Sequence, residues 1–308
     1  MDSGTDKTKT ETNTQPVIKT EVKKKSRSKE YLDALLFACL VAIFLKIFFI
    51  EAYRIPTGSM ENTLLIGDFL LVNKFIYGAT TPRNIPFTDT RIPYFSLPSI
   101  REPHRGDVVV FDFPGYRDEA QSKEVVNYIK RLIGEPGDTV LIRNRELFVN
   151  SQPMPNAQDA LIDPSFMRDT NMAEPKIFPK GSNWNEDNYG PVVVPKKGDI
   201  IKLSADNFEK WKTFIIREGH NCRLAADGKI FVDESPLSEY KVQKDYFFMM
   251  GDHRTNSLDS RFWGFMPREN VVGEAILIYW SWNPDIPFAR FGELWSTIRW
   301  NRIAKIIR

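Results

Sequence analysis

Cysteine and histidine are scarce in this chain of 308 residues. There are two cysteines, Cys39 and Cys222, and Cys39 lies in a strongly apolar run. No CxxC and no paired Cys/His spacing of a zinc site occurs, so neither a disulfide framework nor structural zinc is expected. The three histidines, His104, His220 and His253, stand singly. A metal site is not expected, and a nucleophile would need a base other than histidine. Charge of one sign is also lacking: 42 Lys and Arg stand against 40 Asp and Glu, a net of +2. That balance argues against a nucleic-acid partner held by bulk charge. The GxSxG elbow is missing as well, and Asn62 stands where an SxxK pair begun by Ser59 would have its lysine, which sets aside for that serine the hydrolases and penicillin-binding proteins marked by these signatures.

One long apolar run is present. Tyr31 to Ile50 reads YLDALLFACLVAIFLKIFFI, and about 20 helical residues span a bilayer core. Asp33 lies near one end and Lys46 near the other, where both can reach the interface. The run has no one-sided pattern, as a core helix on a soluble domain would. No small-x-small cleavage site follows it, so an uncleaved anchor fits better than a cleaved leader. Residues 1–30 are polar, with Lys19, Lys23, Lys24, Lys25, Arg27 and Lys29 gathered beside the anchor. They read as a disordered basic tail, and the positive-inside rule keeps that tail in the cytoplasm. The rest of the chain then lies on the outer side of the membrane.

Beyond the anchor the pattern is mainly β. Four Gly-Asp pairs, at Gly67, Gly106, Gly137 and Gly198, run straight into β-branched or aromatic residues, which predicts a turn followed by a strand at each. Residues 147–154 and 230–237 look alike and predict two similar hairpins. Residues 151–197, rich in Pro, Asn and Asp, predict a long irregular insertion. Leu294, Trp295, Ile298, Ile303, Ile306 and Ile307 recur near helical spacing with basic residues between them. They predict a basic amphipathic helix over residues 291–308, laid on an anionic membrane or packed on the β domain.

Three clusters could carry chemistry. Pro56-Thr57-Gly58-Ser59-Met60 places a serine in a turn just after the anchor. Tyr128 to Asp138 places Lys130 between apolar neighbours on one strand face. An edge lysine that discourages strand association would look the same. A desolvated lysine would instead have a lowered pKa and could take a proton from a serine hydroxyl. Met249 to Gly264 is a polar loop between apolar strands, where Asp259 and Arg261 can pair.

In this order behind an anchor, the clusters resemble the boxes of bacterial type I signal peptidases. Pro56-Thr57-Gly58-Ser59-Met60 is similar to the nucleophile box, Gly67-Asp68 to Lys74 to the next strand, and Lys130-Arg131 with Gly134-x-Pro136-Gly137-Asp138 to the box of the base. Gly251-Asp252-x-Arg254-x-x-Ser257-x-Asp259-Ser260-Arg261-x-x-Gly264 is similar to the last box. The resemblance implies a mainly β fold with a catalytic core at 51–140 and 245–282. A β extension at 141–244 and a C-terminal segment at 283–308 would complete it.

It further implies Ser59 as nucleophile, Lys130 as general base, and an oxyanion hole from the Ser59 amide and the Thr57 hydroxyl. Ser257 would bond the Lys130 amine, with Asp252, Arg254, Asp259 and Arg261 as a supporting network and Met60 lining the floor of the substrate pocket or packed beside it. Signal-peptide-bearing preproteins and the bilayer would be the partners, small residues the preference before the cut, and no cofactor would be needed. His253 departs from the family, which usually has Asn there. Two other readings stay open: a self-cleaving Ser–Lys regulator, and an inactive anchored module that binds exported chains.

Overall fold

A computed structural model describes residues 27–81, 90, 92–123, 125–158, 160–162 and 167–308. The chain divides into two units, residues 1–43 and 44–308. The expected tail falls outside the described residues as far as residue 26, and residues 27–30 are already helical. Helix α1 runs from Arg27 to Phe48 with no residue buried. It is long and apolar enough to cross a membrane, at about 33 Å for 22 residues. It stops two residues short of the apolar run because Ile50 is drawn into a strand, Ile50–Arg54 (β1). Phe49 at the junction stacks on Phe75 with ring centroids 4.9 Å apart.

Unit 44–308 is mainly β. After β1 come Asp68–Asn73 (β2), Val108–Asp112 (β3), Asn127–Gly134 (β4), Thr139–Arg143 (β5), Glu146–Val149 (β6), Gln152–Met154 (β7), Tyr189–Val193 (β8) and Ile200–Lys202 (β9). Helix Phe208–Arg217 (α2) precedes Cys222–Leu224 (β10), Ile230–Val232 (β11), Ser235–Pro236 (β12), Glu239–Lys241 (β13) and Tyr246–Met250 (β14). Ser260–Trp263 (α3), Met266–Pro267 (β15), Val271–Ser281 (β16), Phe291–Ser296 (α4) and Lys305–Ile306 (β17) complete it. The largest sheet has the order β1-β2-β16-β3-β4-β14-β15, with β17 on β16. Its β16 carries several register shifts, and such bulges bend a strand so that it can pair different neighbours along its length.

All four Gly-Asp pairs build one device. The glycine has φ between 90° and 97°, which a tight turn needs at its third position and other residues resist. The Asp N–H closes the turn on the carbonyl three residues back, at 3.0 Å in each case. The Asp carboxylate accepts from that same residue's N–H at 2.7 to 2.9 Å. Each turn thus satisfies its own polar groups and releases the chain into β2, β3, β5 or β9. The two look-alike stretches are hairpins, β6–β7 and β11–β12. Both turn on two residues of positive φ, Asn150-Ser151 and Asp233-Glu234, the arrangement that suits strand twist.

The smaller sheets, β7-β6-β5-β8, β10-β11-β12 and β13-β9, come from residues 139–241. The expected boundary after residue 140 therefore falls inside β5. Their core is continuous with the large sheet, since Ile133, Phe248 and Met250 pack with Val140, Tyr189 and Phe214.

The C-terminal stretch is not one amphipathic helix. Its helix α4 ends at Ser296, and β17 returns to pair Leu277 with Ile306. The physical reason is the use made of its basic residues. Arg302 is buried, with its Nη2 2.6 Å from Asp68 Oδ2 and 2.9 Å from Thr63 O. Arg299 donates to Ile66 O at 2.9 Å. Buried charge pairing across 234 positions outweighs the local periodicity.

Candidate active site

Ser59 stands in the loop between β1 and β2. The loop is closed at its base by Ile55 N–H on Asp68 O at 2.9 Å and Gly67 N–H on Ile55 O at 3.0 Å. Its apolar side chains Ile55, Met60 and Leu64 are buried with Leu70 and Val108. Glu61 N–H turns back on Gly58 O at 3.0 Å, and Leu64 N–H on Met60 O at 2.7 Å. Anchored on both sides, the loop holds Ser59 toward β4.

Lys130 lies in β4 opposite Val109 of β3. It is 4% exposed, and its Nζ sits 2.7 Å from Ser59 Oγ and 3.0 Å from Ile129 O. The Nζ also lies 5.3 Å from the centre of the Tyr128 ring, two residues away on the same face. Burial pushes the ammonium down to about 8, against Asp259 and Asp252, which pull it back up. This is a desolvated lysine in contact with a serine hydroxyl, not a solvated edge residue.

A cleft of about 350 Å³ opens on the pair, lined by Pro56, Thr57, Ser59, Tyr128, Ile129 and Leu258 among others. Thr57 is exposed at its rim. Among the described residues nothing accepts from the Ser59 N–H, so that donor is available to a ligand.

The polar loop after β14 backs the pair. Asp252 is fully buried and takes Arg131 Nε at 2.8 Å, Arg131 Nη2 at 2.6 Å and Thr63 Oγ1 at 2.6 Å. Arg131 ties this cluster to Gly106 O and Arg308 O. Asp259, also fully buried, pairs with Arg261 at 2.9 and 2.8 Å and accepts Gly251 N–H at 3.1 Å. Burial pushes its carboxyl up, but Arg261 and these donors together outweigh that and hold it below the ordinary value. Arg261 in turn bonds Arg254 O at 2.8 Å. Arg254 is itself buried, and its Nε has no partner among the described residues.

Gly251 touches the nucleophile loop directly. A Cβ there would meet Ser59 O at 2.4 Å and Ser257 Oγ at 2.2 Å.

Two expected contacts are not made. Ser257 makes no bond to the Lys130 amine. Its hydroxyl lies near enough to Asp259 to favour that carboxylate, yet no partner meets hydrogen-bond geometry. Lys130 instead turns to its own strand's Ile129 O, which the β4 backbone leaves within reach. Met60 does not line the cleft. It is fully buried in the core, where its Sδ accepts Asp252 N–H at 3.4 Å.

Four partners lie outside the clusters singled out in the sequence or were not given a role within them. Thr63 and Arg131 hold Asp252, as above. Leu161, from the irregular insertion, pairs with His253 as a one-residue parallel bridge. It donates to Asp252 O at 2.9 Å and accepts Arg254 N–H at 3.0 Å. The same insertion supplies Glu186 O to Arg261 at 3.2 Å. A basic residue beside Lys130 was the only local signal; a leucine in a loop gives none.

The family described as "Signal peptidase, peptidase S26" matches residues 28–280. Among curated proteins, the signal peptidase I of Buchnera aphidicola subsp. Acyrthosiphon pisum is 33% identical over 294 residues, covering 92% of this chain and 84% of its own. That of Aquifex aeolicus is 31% identical, covering 82% of this chain and 84% of its own. That of Pseudomonas aeruginosa is 30% identical, covering 88% and 78%. A match of this extent, over helix α1, the Ser59 loop, β4 and the polar loop alike, shows that the chain belongs to the signal peptidase family, peptidase S26, a family of serine endopeptidases.

Proposed function

We propose that this chain removes N-terminal signal peptides from exported preproteins, with Ser59 as nucleophile and Lys130 as general base. The observation that carries this reading is the 2.7 Å contact between a buried lysine and a serine hydroxyl at a cleft. While charged, the Lys130 ammonium donates to Ser59 Oγ. Once it has lost its proton, the hydroxyl donates to the amine instead. Attack of Oγ on the substrate carbonyl then passes the hydroxyl proton to Lys130, which returns it to the departing amine. The resulting ester is opened by a water whose proton Lys130 takes up and hands to Ser59 Oγ as the acyl–oxygen bond breaks, which restores both side chains. The Ser59 N–H and the Thr57 hydroxyl are the donors for the tetrahedral oxyanion, each worth about 3 kcal/mol in an aimed site.

Asp252 with Arg131, and Asp259 with Arg261, act as fixed supports for the loop that meets Ser59. Small residues before the cut belong to this reading through the family likeness. So does the placement: helix α1 anchors the chain in the inner membrane, with the N-terminus in the cytoplasm and the Ser59 cleft on the outer side. A serine-directed acylating inhibitor tests the reading against that of an inactive binding module. Covalent mass on the peptide bearing Ser59, absent from Lys130→Ala, is the expected result. An unlabelled, folded wild type would sink it.

A further inference from the structure

The two carbonyls that flank the nucleophile are both held by one residue of the polar loop. The His253 N–H donates to Ser59 O at 3.1 Å. Its ring Nδ1 lies 3.2 Å from Gly58 O and 3.2 Å from Glu61 Oε2. Both neighbours are acceptors, so the proton belongs on Nδ1. Gly58 O also accepts Glu61 N–H at 3.0 Å, which gives that carbonyl two donors.

The Gly58–Ser59 peptide is trans, since the cis bonds among the described residues are Phe178-Pro179 and Gly190-Pro191. In a trans peptide the C=O and the N–H point in opposite directions. Fixing Gly58 O therefore aims the Ser59 N–H. Two donors on the carbonyl also polarise the amide and make its N–H a stronger donor.

We propose that His253 is a positioning residue for the Ser59 N–H, aiming it at the oxyanion, and that Glu61 keeps the ring proton on Nδ1. The proposal rests on the peptidase reading above. It assigns His253 no contact with Lys130, so it separates two effects. The height of the rate profile depends on His253, and its position along the pH axis does not.

The test uses the full chain in detergent and a signal-peptide-bearing preprotein, with kcat, KM and thermal midpoint measured across pH. His253→Ala is expected to lower kcat about ten- to a hundredfold, less than deletion of an oxyanion donor. KM stays within about twofold and the pH midpoint stays in place, because the donor acts in the transition state. His253→Asn, whose amide can still donate to Gly58 O, is expected to recover most of the loss. Glu61→Lys, at a half-exposed position, is expected to lower kcat several-fold, since an ammonium there drives the proton off Nδ1.

A His253→Ala kcat within twofold of wild type overturns the proposal. So does a moved pH midpoint, which would mean action through Lys130, or an Asn variant no better than Ala. Should His253→Ala fail to fold, Glu61→Lys decides: wild-type kcat there overturns it. Absence of cleavage by the wild type would sink the peptidase reading and this proposal with it. Normal cleavage by wild type and His253→Ala alike would sink only the role of His253.

Discussion

Lys130→Met is expected to abolish cleavage and yet to make the protein harder to unfold at neutral pH. The ordinary lysine pKa is 10.5, and burial holds this one at about 8. Below pH 8 the side chain is charged in both states, and the folded state bears the whole desolvation penalty. Between the two values the unfolded chain binds more protons, so stability rises with pH; above 10.5 the penalty is gone. A gap of this size corresponds to about 3 kcal/mol at pH 7 and about 1 kcal/mol at pH 10.

Methionine fills most of the same volume without the charge. It gives up the bonds to Ser59 Oγ and Ile129 O, about 1 kcal/mol each. Water in the cleft can replace the first. The expected net gain is about 2 kcal/mol at pH 7, falling by about 2 kcal/mol on going to pH 10. That fall does not need the strengths of the lost hydrogen bonds, because the folded and unfolded pKa values alone fix the pH dependence. The assay is urea unfolding of wild type and variant in detergent, followed by tryptophan fluorescence at the two pH values. A variant that is less stable at pH 7, or whose advantage does not shrink with pH, would refute a buried lysine as the source of the lowered pKa.

Three further outcomes follow from the same geometry. Cleavage by the wild type is expected to rise about tenfold from pH 7 to pH 9 and to level off above, as Lys130 with a pKa of about 8 loses its proton; a profile flat over that range would contradict it. Gly251→Ala is expected to remove activity, because its Cβ would press on Ser59 O; single-turnover cleavage at a wild-type rate would show that the loop can yield. Arg131→Met leaves the buried Asp252 carboxylate with Thr63, among the described residues, as its one side-chain partner, and is expected to destabilise by about 3 to 5 kcal/mol, read as a lowered urea midpoint.

What could be read from the sequence was local. The four Gly-Asp turns announced β2, β3, β5 and β9, because each turn satisfies its groups within four residues. The Ser59 and Lys130 clusters were visible for the same reason: the chemistry of each box is carried by neighbours in the chain. Long-range pairing was not visible. Arg302 looked like one of several surface cations on a helix until Asp68, across the sheet, claimed it. Met60 looked like a cleft residue from its place beside Ser59, but the turn after Ser59 points it into the core. Leu161 carries no chemical signature, and its support of Asp252 and Arg254 is made by backbone atoms alone.

The central claim is that Ser59, activated by Lys130, cuts preproteins. Cleavage of a preprotein with Ala one and three residues before the expected cut, by detergent-solubilised wild type and Ser59→Ala side by side, tests it most directly. Cutting at that bond by the wild type alone is the predicted result. Cutting by both proteins would remove Ser59 from the mechanism. Cutting by neither, with both folded, would leave an anchored binding module in place of a peptidase.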